Sequence, residues 1–148
     1  MRRHPAGVAV VTVAAGGQRL GLTVATLVSL SLAPPLVGVS ISRQAAMHEL
    51  LREAGAFAAS LLAAGQEAVA RHFARGVPPI ALWQGIDARP GEATGAPLLA
   101  GATGWLECRL AAEHETGDHT LFVGEAVAAA LGVDAPGLAY VGQEYVAP

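Results

Sequence analysis

The residues best suited to chemistry are concentrated between Gly21 and Leu50, in GLTVATLVSLSLAPPLVGVSISRQAAMHEL. Hydroxyl side chains recur there at Thr23, Thr26, Ser29, Ser31, Ser40 and Ser42, and no charge appears until Arg43. Ser42-Arg43 stands just ahead of a short segment of helical composition. A strand that runs into a loop and a helix start aims unpaired backbone N–H groups at one point, which suits a phosphate. Arg43 can add a bidentate, charge-assisted contact. The same residues also read as a solvated arginine before an ordinary helix, and spacing alone leaves both readings open.

Other chemistries lack their residues. No GxGxxG follows a strand, and no GxxxxGK[ST] is present. His48-Glu49 opens an HExxH-like string that Arg52 ends, so the zinc motif fails. The histidines His4, His48, His72, His114 and His119 show no ligand spacing; they read as surface or capping residues, and no metal site is expected. There is no GxSxG elbow, and a triad drawn from Ser29, Asp118 and His119 would be arbitrary. A single cysteine, Cys108 in WLECRL, excludes an internal disulfide and a CxxC site. It reads as a small buried strand residue in a protein of a reducing compartment, here the cytoplasm.

Stepping outward to the elements that must hold these residues, Val8 to Ala14 is a β-branched run with strand character. Ala15-Gly16-Gly17-Gln18 supplies turn residues, and Arg19 to Val24 returns as the second arm of a hairpin. Ala33-Pro34-Pro35 is expected to leave regular pairing, because neither proline can donate to a ladder. Leu36 to Ser42 reads as the next strand, Ala46 to Ala54 as a helix stopped by Gly55, and Phe57 to Leu62 as another strand. Gln66 to Arg75 reads as a second short helix. Val77 to Gly101, rich in Pro and Gly, reads as a long surface connection. Trp105 to His114 and His119 to Ala128 form a second hairpin with His119 at its tip, and Gly137 to Val146 gives two last short strands about Gly142. Many strands, few helices and no βαβ alternation predict an antiparallel barrel or sandwich.

The 148 residues predict one domain, spanning 1–148. Apolar residues make up 53% and charged residues 14%, so part of the surface is expected to be covered by a second subunit. A net charge of −3 argues against nucleic acid. Arg2-Arg3 before AGVAVVTVAAGG imitates a signal peptide, but the apolar part is short, β-branched and runs into a hairpin. Leu20 to Ser42 is long enough to span a bilayer, yet its hydroxyls and the Pro34-Pro35 break favour two strands over a membrane segment.

GVAVVT, GLTVATLVSLSLAPPLVGVSIS, FAASLL, APLLAGATGWLECRL and above all GDHTLFVGEAV, in that order, resemble the flavin reductase-like family of FMN-binding split barrels. The resemblance covers nearly the whole chain. It implies a mainly β fold, a six-stranded antiparallel Greek-key split β-barrel with short helices, assembled as a homodimer. It implies FMN or FAD as cofactor, NADH or NADPH as hydride donor, and a partner monooxygenase that receives reduced flavin. By position, Thr23, Val24, Ala25 and Thr26 match the segment along the flavin ring and ribityl chain, with Ser29 beyond it. Ser40, Ser42, Arg43, Gln44, Ala45 and Met47 match the phosphate loop. His119 matches a residue beside the nicotinamide, Tyr140 is a second residue for that side, and Phe73 matches an aromatic near the flavin. Ala25 stands where Ser or Asn is usual, Leu27 where Phe is usual, and Gln44–Met47 where hydroxyls usually follow. Neutral hydrogen bonds contribute about 1 kcal/mol each, so a looser hold on flavin is expected. The alternatives are a non-catalytic flavin-binding or electron-transfer protein of the same fold, and an oxidase that uses flavin on another bound substrate.

Overall fold

A computed structural model describes residues 1–148. In chain order its elements are β1 (Ala6–Gly7), β2 (Ala9–Ala15), β3 (Gln18–Val24), β4 (Val28–Leu32), β5 (Pro35–Ser42), α1 (Ala46–Ala54), β6 (Ala56–Leu61), α2 (Glu67–Ala74), α3 (Pro79–Leu82), β7 (Ala88–Pro90), β8 (Pro97–Leu99), β9 (Gly104–Thr116), β10 (His119–Leu131), β11 (Ala139–Val141) and β12 (Glu144–Val146). The main sheet has seven strands in the order β3-β2-β6-β9-β10-β5-β4, all antiparallel. β1, β11 and β12 form a three-stranded sheet, and β7 pairs with β8.

The alternating inward residues of the main sheet meet in one core: Val11 and Val13 of β2, Val39 and Ile41 of β5, Phe57 of β6, Cys108 of β9 and Phe122 of β10, with Leu50 and Leu51 of α1. Alternate residues of these strands point into that core, while β2 and β6 are buried on both faces. The outer strands β3 and β4 do not pair with each other, so the sheet stays open. The expected six strands become seven because β4 adds itself to β5 as an edge. A register shift between Ser29 and Ser31 explains the imperfect alternation there.

Further expectations need correction. Pro35 does not leave the ladder; it is the first residue of β5, opposite Leu32, where a missing N–H is tolerated. Val77 to Gly101 lies largely at the surface, but it is not an irregular connection. It contains a third helix, α3, and the β7–β8 hairpin, whose Ala96, Leu98 and Leu99 are buried. Polar groups on the outer side of the sheet hold it there. The Thr12 hydroxyl donates to Pro97 O at 2.6 Å, Ser60 Oγ accepts from Leu99 N at 3.0 Å, and Glu107 Oε1 accepts from the N–H groups of Ala93 and Thr94. No helix is long and apolar enough to cross a membrane.

One glycine carries a packing requirement. A Cβ on Gly21 would lie 2.6 Å from Cε1 of Phe73, so α2 can sit flat on β3 only because this position lacks a side chain. The Thr23 hydroxyl then donates to Ala70 O at 2.6 Å and fixes the approach.

Candidate functional site

β5 and β10 run side by side with Ser42 opposite His119 and Ser40 opposite Leu121. This register brings the two most distant parts of the expected site, the serine loop and the GDH turn, to one end of the sheet. Beyond Ser42 the chain is tied to the same turn, because Arg43 N–H donates to Asp118 O at 3.0 Å. The Arg43 guanidinium reaches Gly117 O at 3.5 Å and Glu115 at 4.0 Å, and its side chain is 52% exposed. Contacts this long between exposed groups hold it weakly, which leaves it able to engage a ligand.

The loop then folds over itself. Ser42 Oγ accepts from Gln44 N–H at 3.3 Å, and Ala45 N–H donates to Ser42 O at 3.1 Å. α1 follows, with Ala45 at its cap and no side-chain cap bond. The N–H groups of Ala46 and Met47 have no backbone partner, as helix geometry requires of the first turn. Unpaired amides beside a half-free arginine are a donor set that fits a phosphate. Three carboxylates lie around this loop: Glu115 is 4.0 Å from the Arg43 guanidinium, Asp118 is bonded to His119 at 2.8 Å, and Glu49 is engaged by His48 at 3.1 Å and Arg52 at 3.3 Å.

The ring-side residues divide. Ala25 and Thr26 are exposed, and Thr26 Oγ1 both donates to Ser40 O at 3.0 Å and accepts from Ser40 N–H at 3.2 Å. That pair of bonds holds the Ala25–Leu27 segment beside β5. Ala25 also shares a pocket of about 340 Å³ with Tyr140, Arg2 and His4. Thr23 and Val24 point elsewhere: the Thr23 hydroxyl is spent on α2, and Val24 belongs to the core. Met47 is buried, leaving its backbone N–H for a ligand, and Ser29 lies on the exposed edge strand β4. Phe73 is 1% exposed, enclosed by Gly21, His72 and Trp83, and offers no face to a cofactor as the ring-side reading required.

His119 Nδ1 lies 2.8 Å from Asp118 Oδ1, with the imidazole 42% exposed. This hydrogen bond, reinforced by the charge of His119, holds the Asp118 carboxyl below its ordinary value of 3.8. A depressed carboxyl contributes stability above its unfolded value and loses it as pH falls through the folded one. In an NMR acid titration Asp118 should therefore show its midpoint below 3.8, and in His119→Ala the midpoint should rise. An unchanged midpoint in the variant would mean that the two side chains do not interact in solution.

Cys108 is enclosed in β9, and burial followed by the neighbouring Glu107 pushes its thiol up to about 12, so it is no nucleophile. One site-adjacent residue differs from its sequence reading. His48 is not a surface residue; it is 5% exposed, with Nε2 2.7 Å from Thr120 Oγ1. The signal for it was helical spacing, since His48 and Leu51 are three apart and share a buried face of α1.

An open antiparallel sheet thus carries, at one rim, a loop with unpaired amides and an arginine beside a histidine. The chain belongs to the flavin reductase-like family, whose domain model matches residues 1–147. It is 46% identical over 127 residues to the NADH-dependent FAD reductase of Streptomyces globisporus, covering 84% of this chain and 69% of that one. It is 39% identical over 145 residues to the reductase component of 4-hydroxyphenylacetate 3-monooxygenase from Thermus thermophilus, covering 98% and 90%. The solved structure of Streptomyces globisporus C-1027 NADH:FAD oxidoreductase SgcE6 in complex with NAD and FAD fragments superposes with a TM-score of 0.92, at 40% identity, covering 97% and 86%.

Proposed function

We propose that this chain is an NAD(P)H-dependent flavin reductase whose single domain, residues 1–148, binds FMN or FAD and delivers reduced flavin to a partner monooxygenase. The observation that carries the reading is the juxtaposition of His119 with Ser42, next to Arg43 and the unpaired amides of Ala46 and Met47. In this reading Ala25, Thr26, Ser40, Ser42, Gln44 and Ala45, with the free amides of Ala46 and Met47, hold the flavin mononucleotide. Tyr140, beside Ala25, is assigned to the ring end of that site.

When bound, flavin accepts a hydride from reduced nicotinamide, so the nucleotide is oxidised and flavin is reduced by the same two electrons. This chain's residues orient and exclude. Arg43 and the helix amides neutralise the phosphate. The Thr26–Ser40 bonds keep the ring-side segment rigid. His119, braced by Asp118, offers a polar contact to the nicotinamide side. No acid–base pair is needed for a hydride transfer between stacked rings, and orientation is the main requirement.

A homodimer accords with the exposed apolar residues of the edge strand β4, Val28 at 48%, Leu30 at 47% and Leu32 at 90%. Monomeric proteins rarely leave such strips uncovered. A cytoplasmic location accords with a chain whose single cysteine is free and buried.

The test is steady-state oxidation of NADH or NADPH, followed at the nicotinamide band, with excess FMN, FAD or riboflavin. Turnover with at least one pairing is expected, and no oxidation with any pairing would overturn the reductase. In the same assay His119→Ala should lower kcat about tenfold, the worth of one lost hydrogen bond, while the flavin dissociation constant stays within about twofold. Collapse of flavin binding instead would place His119 in the flavin site.

A further inference from the structure

We propose that His48 is a positioning residue that locks the first turn of α1, and with it the phosphate-facing amides, onto the strand carrying His119. This rests on the reading of the loop as a phosphate site. His48 N–H donates to Ala45 O at 3.0 Å, so the residue belongs to the turn whose Ala46 and Met47 amides are free. Its ring crosses to β10: Nε2 meets Thr120 Oγ1 at 2.7 Å, and the imidazole stands edge-on to Phe122 with centroids 5.2 Å apart. Thr120 is 3% exposed, follows His119 directly, and pairs with Ile41 next to the Ser42–His119 pair.

The protonation pattern follows from the partners. Glu49, whose carboxyl is held below its ordinary value first by its hydrogen bond to His48, can only accept. Nδ1 of His48 is therefore the donor to Glu49 Oε1, at 3.1 Å, and in the neutral ring Nε2 accepts from the Thr120 hydroxyl. The result is a directed chain in which Thr120 donates to His48 and His48 donates to Glu49.

A leucine would fill this volume without any desolvation cost. The other buried residues on α1 are Met47, Leu50 and Leu51, which hold the helix against the sheet without fixing its position along it. Apolar contacts are non-directional, whereas a buried hydrogen bond is satisfied only near one distance and angle. His48 thus adds to the core what Met47, Leu50 and Leu51 lack, a fixed separation between the helix amides and the end of β10.

The test compares dissociation constants for FMN and riboflavin, read by flavin fluorescence, in His48→Gln, His48→Asn, Thr120→Val and the double variant His48→Asn/Thr120→Val. A glutamine amide reaches the place of Nε2, so His48→Gln should stay within about twofold of wild type. His48→Asn and Thr120→Val should each weaken FMN about three- to tenfold while riboflavin moves less than about twofold, and the double variant should be no worse than either single one. Thermal melts accompany each variant, and Thr120→Val, nearly isosteric, carries the test should His48→Asn not fold. Equal weakening of both flavins, no weakening, or additivity in the double variant would overturn the positioning role. Wild-type protein that binds neither flavin would instead overturn the flavin site itself.

Discussion

Phe73→Ala is expected to lower the free energy of unfolding by about 3–5 kcal/mol. The ring is 1% exposed, lies against the bare face of Gly21, and packs at 5.4 Å on Trp83 and 5.1 Å on His72. It anchors a second apolar cluster with Val10, Leu62, Ala70, Leu82 and Leu99, which holds α2 and α3 against the outside of β2 and β3. Truncation leaves a cavity that the hydrogen bond from the Thr23 hydroxyl to Ala70 O helps to keep from collapsing. Urea unfolding followed by circular dichroism gives the loss directly. A cost below about 1 kcal/mol, together with lost flavin affinity, would return Phe73 to the ligand-contact role that the family resemblance implied.

Arg43→Ala is expected to weaken FMN about 10- to 100-fold and to leave riboflavin, which lacks the phosphate, within about twofold. A charge-assisted hydrogen bond is worth about 1.5–3 kcal/mol, and that range converts to those factors. The stability cost should be small, because its contact to Glu115 is 4.0 Å long between side chains 52% and 80% exposed. Arg43→Lys should fall between, keeping the charge but losing the planar fork. Raising the salt should narrow the gap between wild type and Arg43→Ala, since the site is open to solvent. Equal weakening of FMN and riboflavin would mean that Arg43 does not meet the phosphate.

How far the sequence was legible depended on how local each signal is. The β2–β3 hairpin could be read because β-branched residues flank a Gly-Gly turn, and α1 because its apolar spacing ends on Gly55. The β9–β10 hairpin was found but shortened: it runs through Thr116 and on to Leu131, where small alanines give no periodic contrast. The β7–β8 hairpin was missed because three-residue strands bordered by Pro and Gly carry no period, and what holds them is Glu107, Thr12 and Ser60 from elsewhere in the chain. In the site, Ser42 and His119 are brought side by side by a register between β5 and β10 that no local pattern reveals. Side-chain direction was less legible. Thr23 and Val24 follow the alternation of β3 toward α2 and the core, and Phe73 lies on the inner face of its helix, directions that a positional match to a family does not carry.

The turn at Gly117-Asp118 has a bearing on how such a chain can change over generations. Gly117 sits at φ 77°, and within two residues the turn supplies the carbonyls that hold Arg43 and the carboxylate that holds His119. Adding one residue here would shift β10 against β5 and exchange the faces of His119 and Thr120. Arg43, His119 and the His48–Thr120 bond would be lost in a single event, with no intermediate that keeps two of the three. Insertions and deletions in descendants of this sequence should therefore collect in other connections, while the two-residue length of this one persists even where its neighbours drift.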